Sequence, residues 1–381
     1  VFKVYNHWDR LTSCVVGKSY PPEFYSFIEN PKLRSLFERI AIETEEDYQS
    51  LIKLLKTFNV DIVRPNTPDI VPDKYFNKKL RIPGPVSMNP RDQMIMIGEK
   101  FYIFPYEYAA LKTSGRIKRN SLENKEEFDL TVKQFVNWWN PVINKVKASG
   151  NSIIDYSQMD NKNLENLLTN IKVNGITRIG KDLYLGRGEK YLSKEQLLSN
   201  KYLIKKYFSG NYRTHYIQTE GHMDGCFTPV KPGLIISSHD MDSYSSTFPG
   251  WEVVKVEHEV DLMPDWVEYK KKTNGSWWIV NGDNSDELVE FVGTWLKDWV
   301  GNAEETVFSV NSLVVDEKNI IVSSYNKEVF DAYERHGVTP HIVNLRHRYF
   351  WDGGISCITA ELNREGVMTD WFPERGENEH L

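Results

Sequence analysis

The chain has 381 residues, of which 40% are hydrophobic and 26% charged, with a formal net charge of −6. That balance belongs to a globular protein and excludes a disordered one. The acidity argues against a nucleic-acid partner, since neutralising phosphates takes a basic surface, and no apolar run approaches the roughly 18 residues of a membrane span. Three cysteines, Cys14, Cys226 and Cys357, are an odd and sparse set. They exclude a disulfide framework and suit a reducing compartment. Val1–Tyr5 lacks the basic and apolar stretches of a secretory leader, so a cytoplasmic location is expected. The length allows two or three domains, or one large domain of repeated units.

The chain opens on the apolar stretch Ser13–Val16. Thr44–Thr57 follows as a helix, with Ile52, Leu54 and Leu55 on one face and acids at its start, as the macrodipole favours. Met94–Ile97 and Phe101–Phe104, joined by Gly98-Glu99-Lys100, read as a β-hairpin. A long helix is expected over Glu126–Lys147. The hairpin pattern returns over Ile176–Ile179 and Leu183–Leu185, then over Cys226–Val230 and Leu234–Ile236. Asp286–Trp299 reads as a helix opening on acids. A fourth hairpin joins Ser312–Val315 to Ile320–Val322, and the helix Lys327–His336 ends at Gly337, a suitable C-cap. Cys357–Leu362 then supplies a partner for Ser13–Val16, making a fifth unit. Hairpin and helix alternate five times with no low-complexity linker, which favours one cyclic domain over 1–381. The alternative is an ordinary α+β domain whose hairpins share only generic patterning.

Taken locally, the polar residues admit two readings each. Cys357 follows Gly353-Gly354 at the mouth of a strand, where glycines permit close backbone approach. It is either a nucleophile or a small buried hydrophobe. His222 and Asp224 lie two apart; on an extended segment they would face one pocket, or form a structural ion pair. Asp92, just before the first hairpin, is a candidate acid or a strand-entry turn residue. Ser237, His239, Asp240 and Asp242 cluster after the third hairpin, but their spacing matches no metal-ligand pattern. No phosphate-binding glycine loop and no Gly-x-Ser-x-Gly elbow is present.

In order, these segments resemble the amidinotransferase branch of the guanidino-group-modifying enzymes, and within it the glycine amidinotransferase family. The resemblance is carried by Tyr5-Asn6-His7-Trp8-Asp9-Arg10-Leu11 with Val15-Val16-Gly17, by Pro90-Arg91-Asp92, and by Gly180-Lys181-Asp182. It continues through His222-Met223-Asp224, Pro232-Gly233, Ser309-Val310-Asn311, Val315-Asp316-Glu317-Lys318, Asn344-Leu345-Arg346 and Gly353-Gly354-Ile355-Ser356-Cys357. It implies an α/β pentein fold: a five-bladed propeller of ββαβ units around a central active-site cavity. It also implies that Cys357 attacks a guanidinium carbon to give an amidino-cysteine. His222 would move the protons, Asp92 and Asp224 would clamp the cation, and Ser309 and Asn311 would line the substrate pocket. No metal or organic cofactor is implied, because the guanidinium brings its own electrophilic charge, and a homodimer is expected.

Two positions depart from the family. Where it places an acid that orients the histidine, this chain reads Asn170-Ile171-Lys172-Val173-Asn174, with Lys172 at the acid's place and Asn174 nearby. Where it carries an arginine for the substrate carboxylate, this chain reads Ser237-Ser238-His239-Asp240-Met241-Asp242, with no arginine from Pro232 to Asp265. An acid there repels a carboxylate and attracts an amine. The leading expectation is transfer of an amidino group from arginine or a related guanidino donor to an amine such as glycine, giving ornithine and guanidinoacetate. One alternative is a deiminase- or dihydrolase-like hydrolase of the same fold. Another is a non-catalytic pentein that binds a partner or a small cation.

Overall fold

A computed structural model describes residues 1–67, 88–103, 137–155, 175–187, 202, 212–218, 222–238, 244–257, 265–280, 282, 284–296, 300–301 and 306–376. Their architecture is mixed α/β, with five separate three-stranded sheets. In chain order the strands are β1 (Arg10–Val16), β2 (Asp61–Val63), β3 (Met94–Ile97), β4 (Lys100–Ile103), β5 (Ser152–Asp155), β6 (Ile176–Ile179), β7 (Asp182–Arg187) and β8 (Arg213–Gln218). There follow β9 (Phe227–Lys231), β10 (Leu234–Ser237), β11 (Glu252–Lys255), β12 (Leu313–Asp316), β13 (Asn319–Val322), β14 (Thr339–Ile342) and β15 (Thr359–Glu365).

Each sheet repeats one pattern: an antiparallel hairpin, then a third strand parallel to the second. The four expected hairpins are β3–β4, β6–β7, β9–β10 and β12–β13. Two of them turn through two residues, with Gly98 (φ +55°) and Gly180 (φ +57°) first in the turn. A positive φ there matches the twist of the flanking strands and is open to glycine without strain. The fifth sheet joins the two ends of the chain. β15 runs antiparallel to β1 with Cys14 opposite Glu361 and Val16 opposite Thr359, and β2 lies parallel on the other side of β1.

The first helix, α1, spans Pro31–Thr57 and begins 13 residues earlier than the sequence pattern suggested. The Asn30 side chain accepts hydrogen bonds from the Lys32 and Leu33 backbone, and Pro31 opens the first turn, both strong start signals. The acids near Thr44 have a different task. Asp47 accepts from the Arg346 backbone (2.7 Å) and side chain (2.8 Å), and Glu43 lies 2.6 Å from His347 Nε2. Beside these acids α1 buries Leu36, Phe37, Ile40, Tyr48, Leu51 and Leu55 in a cluster that also holds Ile355 and Ile358. The helix therefore backs the turn that carries Cys357.

Residues 137–148 are helical, while 126–136 of that expected helix lie outside the described residues. The helix opening at Asp286 is regular only to Phe291, then widens into a π turn over Val292–Leu296. Lys327–Arg335 forms as expected and is followed by Gly337 at φ +66°. No helix among the described residues is long and apolar enough to cross a membrane.

Guanidinium groups tie the leading strands of four sheets together. Arg178 in β6 donates to the Met96 carbonyl in β3 (2.5 Å), and Arg91, just before β3, donates back to Ile176 in β6 (2.7 Å). Arg364 in β15 donates to Val314 in β12 (2.6 Å) and to Asp9 beside β1 (2.5 Å). The Glu361 carboxylate pairs with both Arg178 and Arg364. Burial would raise its pKa, but the arginines overcome that and hold it well below the usual range. A second buried group fixes residues 369–375. Asp182 accepts two hydrogen bonds from Arg213 (3.0 and 2.8 Å) and lies 2.5 Å from His215 Nε2. Arg213 in turn donates to the Phe372 and Arg375 carbonyls, both at 3.0 Å.

Candidate active site

The site residues come from turns that immediately precede a leading strand. Pro90–Asp92 is a single 3-10 turn before β3, Met223–Gly225 is another before β9, and Asn311 stands just before β12. Cys357 lies in the turn before β15. Such turns bring side chains to the end of a sheet, where they escape the strand alternation. His222 and Asp224 therefore do not share a side by lying on an extended segment, as the sequence suggested. His222 precedes the 3-10 turn with extended backbone, and Asp224 lies within it.

Cys357 and Asp224 are almost fully buried and Asn311 is completely so. Cys357 Sγ lies 3.5 Å from Asp224 Oδ2, and Asn311 Nδ2 lies 3.1 Å from the sulfur and 3.4 Å from the same carboxylate oxygen. Asn311 Oδ1 accepts from the backbone N–H of Ser356 (2.8 Å) and Cys357 (3.4 Å). Arg91 N–H donates to the Cys357 carbonyl at 3.3 Å, which brings the neighbouring Asp92 alongside. His222 Nδ1 is 3.4 Å from Asp92 Oδ1, with both side chains partly open to solvent. Burial pushes the Cys357 thiol well up, and the charges of Asp224 and Asp92 push it further.

Three buried polar atoms of the turns before the leading strands have no hydrogen-bond partner among the described residues: Asp224 Oδ1, Ser309 Oγ and Asn89 Oδ1. An unpaired buried polar atom is costly. Ser309, Asn311, Asp92, Asp224, His222 and Cys357 are thus all described: Cys357, Asp224 and Asn311 touch one another, His222 pairs with Asp92, and the charge of Asp92 acts on Cys357. Asn89 was not anticipated. Its only sequence signal is its place before Pro90, where an extended backbone is favoured. The positions of Lys172 and Asn174, and residues 239–243, lie outside the described residues.

The other two thiols behave as packing groups. Cys14 is fully buried in β1, and burial raises its pKa strongly. Cys226 is buried in a cap with its sulfur 3.4 Å from the His222 carbonyl. Ser237 donates to the Cys226 carbonyl (3.1 Å) and pairs with the Tyr244 hydroxyl (2.6 Å), a structural role. No group of three or more His, Cys, Asp or Glu side chains among the described residues is placed to hold a metal ion.

No family model matches the chain. In fold it is similar to an amidinotransferase of saxitoxin biosynthesis from Microseira wollei, with a TM-score of 0.60, 14% identity, and 97% of this chain and 99% of that one covered. Inosamine-phosphate amidinotransferase from Streptomyces griseus matches with the same score and coverage at 17% identity. In fold the chain is therefore amidinotransferase-like. The particular likeness in sequence is to mitochondrial glycine amidinotransferase. Identity is 21% with the Gallus gallus protein and 22% with the Xenopus laevis protein, each covering 97% of this chain and 84% of the relative.

Proposed function

We propose that the protein moves an amidino group from arginine, or a related guanidino donor, to an amine such as glycine through a covalent intermediate on Cys357. The observation that carries this reading is the meeting of a buried thiol with two carboxylates, Asp224 and Asp92, and with the imidazole beside Asp92. A guanidinium is a planar fork of N–H donors with a delocalised positive charge, and paired carboxylates are its natural seat. Asp224, Asp92, Ser309 and Asn89 together offer the acceptors.

The charges that suppress the thiolate in the free enzyme are the charges the substrate neutralises. With the cation seated, His222 takes the thiol proton and the sulfur attacks the central carbon. The proton then passes to the departing amine as its C–N bond breaks, leaving the amidino-cysteine. The incoming amine gives a proton to His222, attacks the same carbon, and expels the thiolate. Asp92 orients the imidazole through Nδ1, the duty the family gives to an acid at the place of Lys172. This reading takes the five sheets as the blades of one propeller domain over 1–381, with the site at its axis.

Product analysis with arginine, with and without glycine, tests the proposal. Ornithine and guanidinoacetate formed only with glycine are expected, and Cys357→Ala abolishes both. Citrulline, or ornithine with urea, formed without any amine would make water the acceptor and overturn the transferase reading.

A further inference from the structure

We infer that Asn311 positions the Cys357 sulfur and stabilises its anion, and does not serve as a pocket-lining contact to the substrate. The inference rests on Cys357 as the nucleophile and begins from a count of hydrogen-bonding capacity. An asparagine side chain offers two N–H donors and two oxygen lone pairs. In Asn311 all four are engaged: Nδ2 reaches Cys357 Sγ at 3.1 Å and Asp224 Oδ2 at 3.4 Å, while Oδ1 accepts from Ser356 N and Cys357 N. Nothing is left for a substrate.

The orientation of the amide is fixed by its partners. Two backbone N–H groups can only donate, so they require the oxygen. A carboxylate oxygen can only accept, so it requires the NH₂ end. A flipped amide would face like groups on both sides. The seat depends on Gly354 as well: a Cβ there would stand 2.6 Å from Asn311 Cγ. The turn of Cys357 thus wraps the amide, with its backbone bound to one end of it and its sulfur to the other.

The consequence is electrostatic. Burial and two carboxylates oppose a negative sulfur, and the Asn311 N–H is a donor aimed at it. A hydrogen bond to a charged group counts for about one to two pKa units. Thiol alkylation tracks the thiolate, so it reads this directly and needs no substrate.

The test is the rate of iodoacetamide reaction at Cys357 at pH 8, with Cys357→Ser giving the background of Cys14 and Cys226. Asn311→Ala is expected to slow the reaction about 10- to 100-fold. A lining role predicts the opposite, because removing the amide opens space beside the sulfur; an equal or faster rate overturns the inference. Gly354→Ala keeps the asparagine but displaces it, and the same slowing is expected. If Asn311→Ala does not fold by near-ultraviolet circular dichroism, Gly354→Ala decides, and an unchanged rate there overturns the inference. In turnover, Asn311→Ala should lower kcat with little change in KM. Slowed alkylation in a protein whose wild type transfers no amidino group supports the inference and defeats only the proposed reaction. Normal transfer with unchanged alkylation defeats the inference alone.

Discussion

Glu361→Gln tests how four of the five sheets are held together. The Glu361 side chain is 9% exposed, pairs with Arg178, and accepts from Arg364 at 2.6 and 3.0 Å. The substitution keeps the shape and removes the charge, leaving two buried guanidinium groups facing an amide. Breaking a buried pair from one side costs about 3–5 kcal/mol. The unfolding entropy near 2.1 cal/mol/K per residue, over 381 residues, makes that a fall in Tm of about 4–6 °C at pH 7. The pH dependence has a definite sign. Folding depresses the Glu361 pKa from its ordinary 4.5. Its stabilisation is therefore whole above the unfolded-state value and shrinks as pH falls towards the folded one. The melting temperatures of the two proteins should converge below about pH 4.5. Thermal melts followed by tryptophan fluorescence at pH 7 and at pH 3.5 measure both effects. Equal melting at pH 7, or a gap that persists unchanged into acid, would refute the idea that this carboxylate balances the buried arginines.

Asp224→Asn removes a charge that opposes the thiolate, so alkylation of Cys357 at pH 8 should rise, about tenfold per pKa unit gained; a slower reaction contradicts the electrostatic account. Asp182→Ala leaves Arg213 without its bidentate partner and removes a contact of Arg375, 3.4 Å away. Trypsin should then cut after Arg375 faster than in the wild type, and equal cleavage would show that the segment is held by other contacts. Asn326→Ala removes a side chain that accepts from Val329 N at the start of the helix Lys327–Arg335. A loss of about 1 kcal/mol in urea denaturation is expected, and no loss would remove the cap from the account of that helix.

The hairpins were legible because their signals are local. Apolar alternation and a short turn, with glycine in three of the four, fall within ten or eleven residues, and the structure places all four within a residue or two of the expected bounds. The pairing of Ser13–Val16 with Cys357–Leu362 was legible as a possible fifth unit of the same pattern, and β15 does pair with β1. What escaped was long-range or depended on an exception to a rule. The acids of α1 mimic a helix start, but their partners are Arg346 and His347, some 300 residues away. The arginine ties were written in the strands as Arg178 and Glu361 in otherwise apolar runs, a signal that a charged residue at an inward position should have raised. The residues of the site could be named from the resemblance, yet their geometry could not. Asn311 meets Cys357 across 46 residues, and the strand alternation used to pair His222 with Asp224 does not apply to a 3-10 turn.

The pairing of β1 with β15 has a consequence for synthesis. The strand ending at Val16 leaves the ribosome early, and its antiparallel partner begins only at Thr359. At about 5–20 residues per second, that is a delay on the order of 20 to 70 seconds. Throughout that interval one edge of β1 is unpaired and the cysteine has not been made. A chain cut short before Cys357 therefore lacks both the strand that completes this sheet and the thiol proposed as the nucleophile.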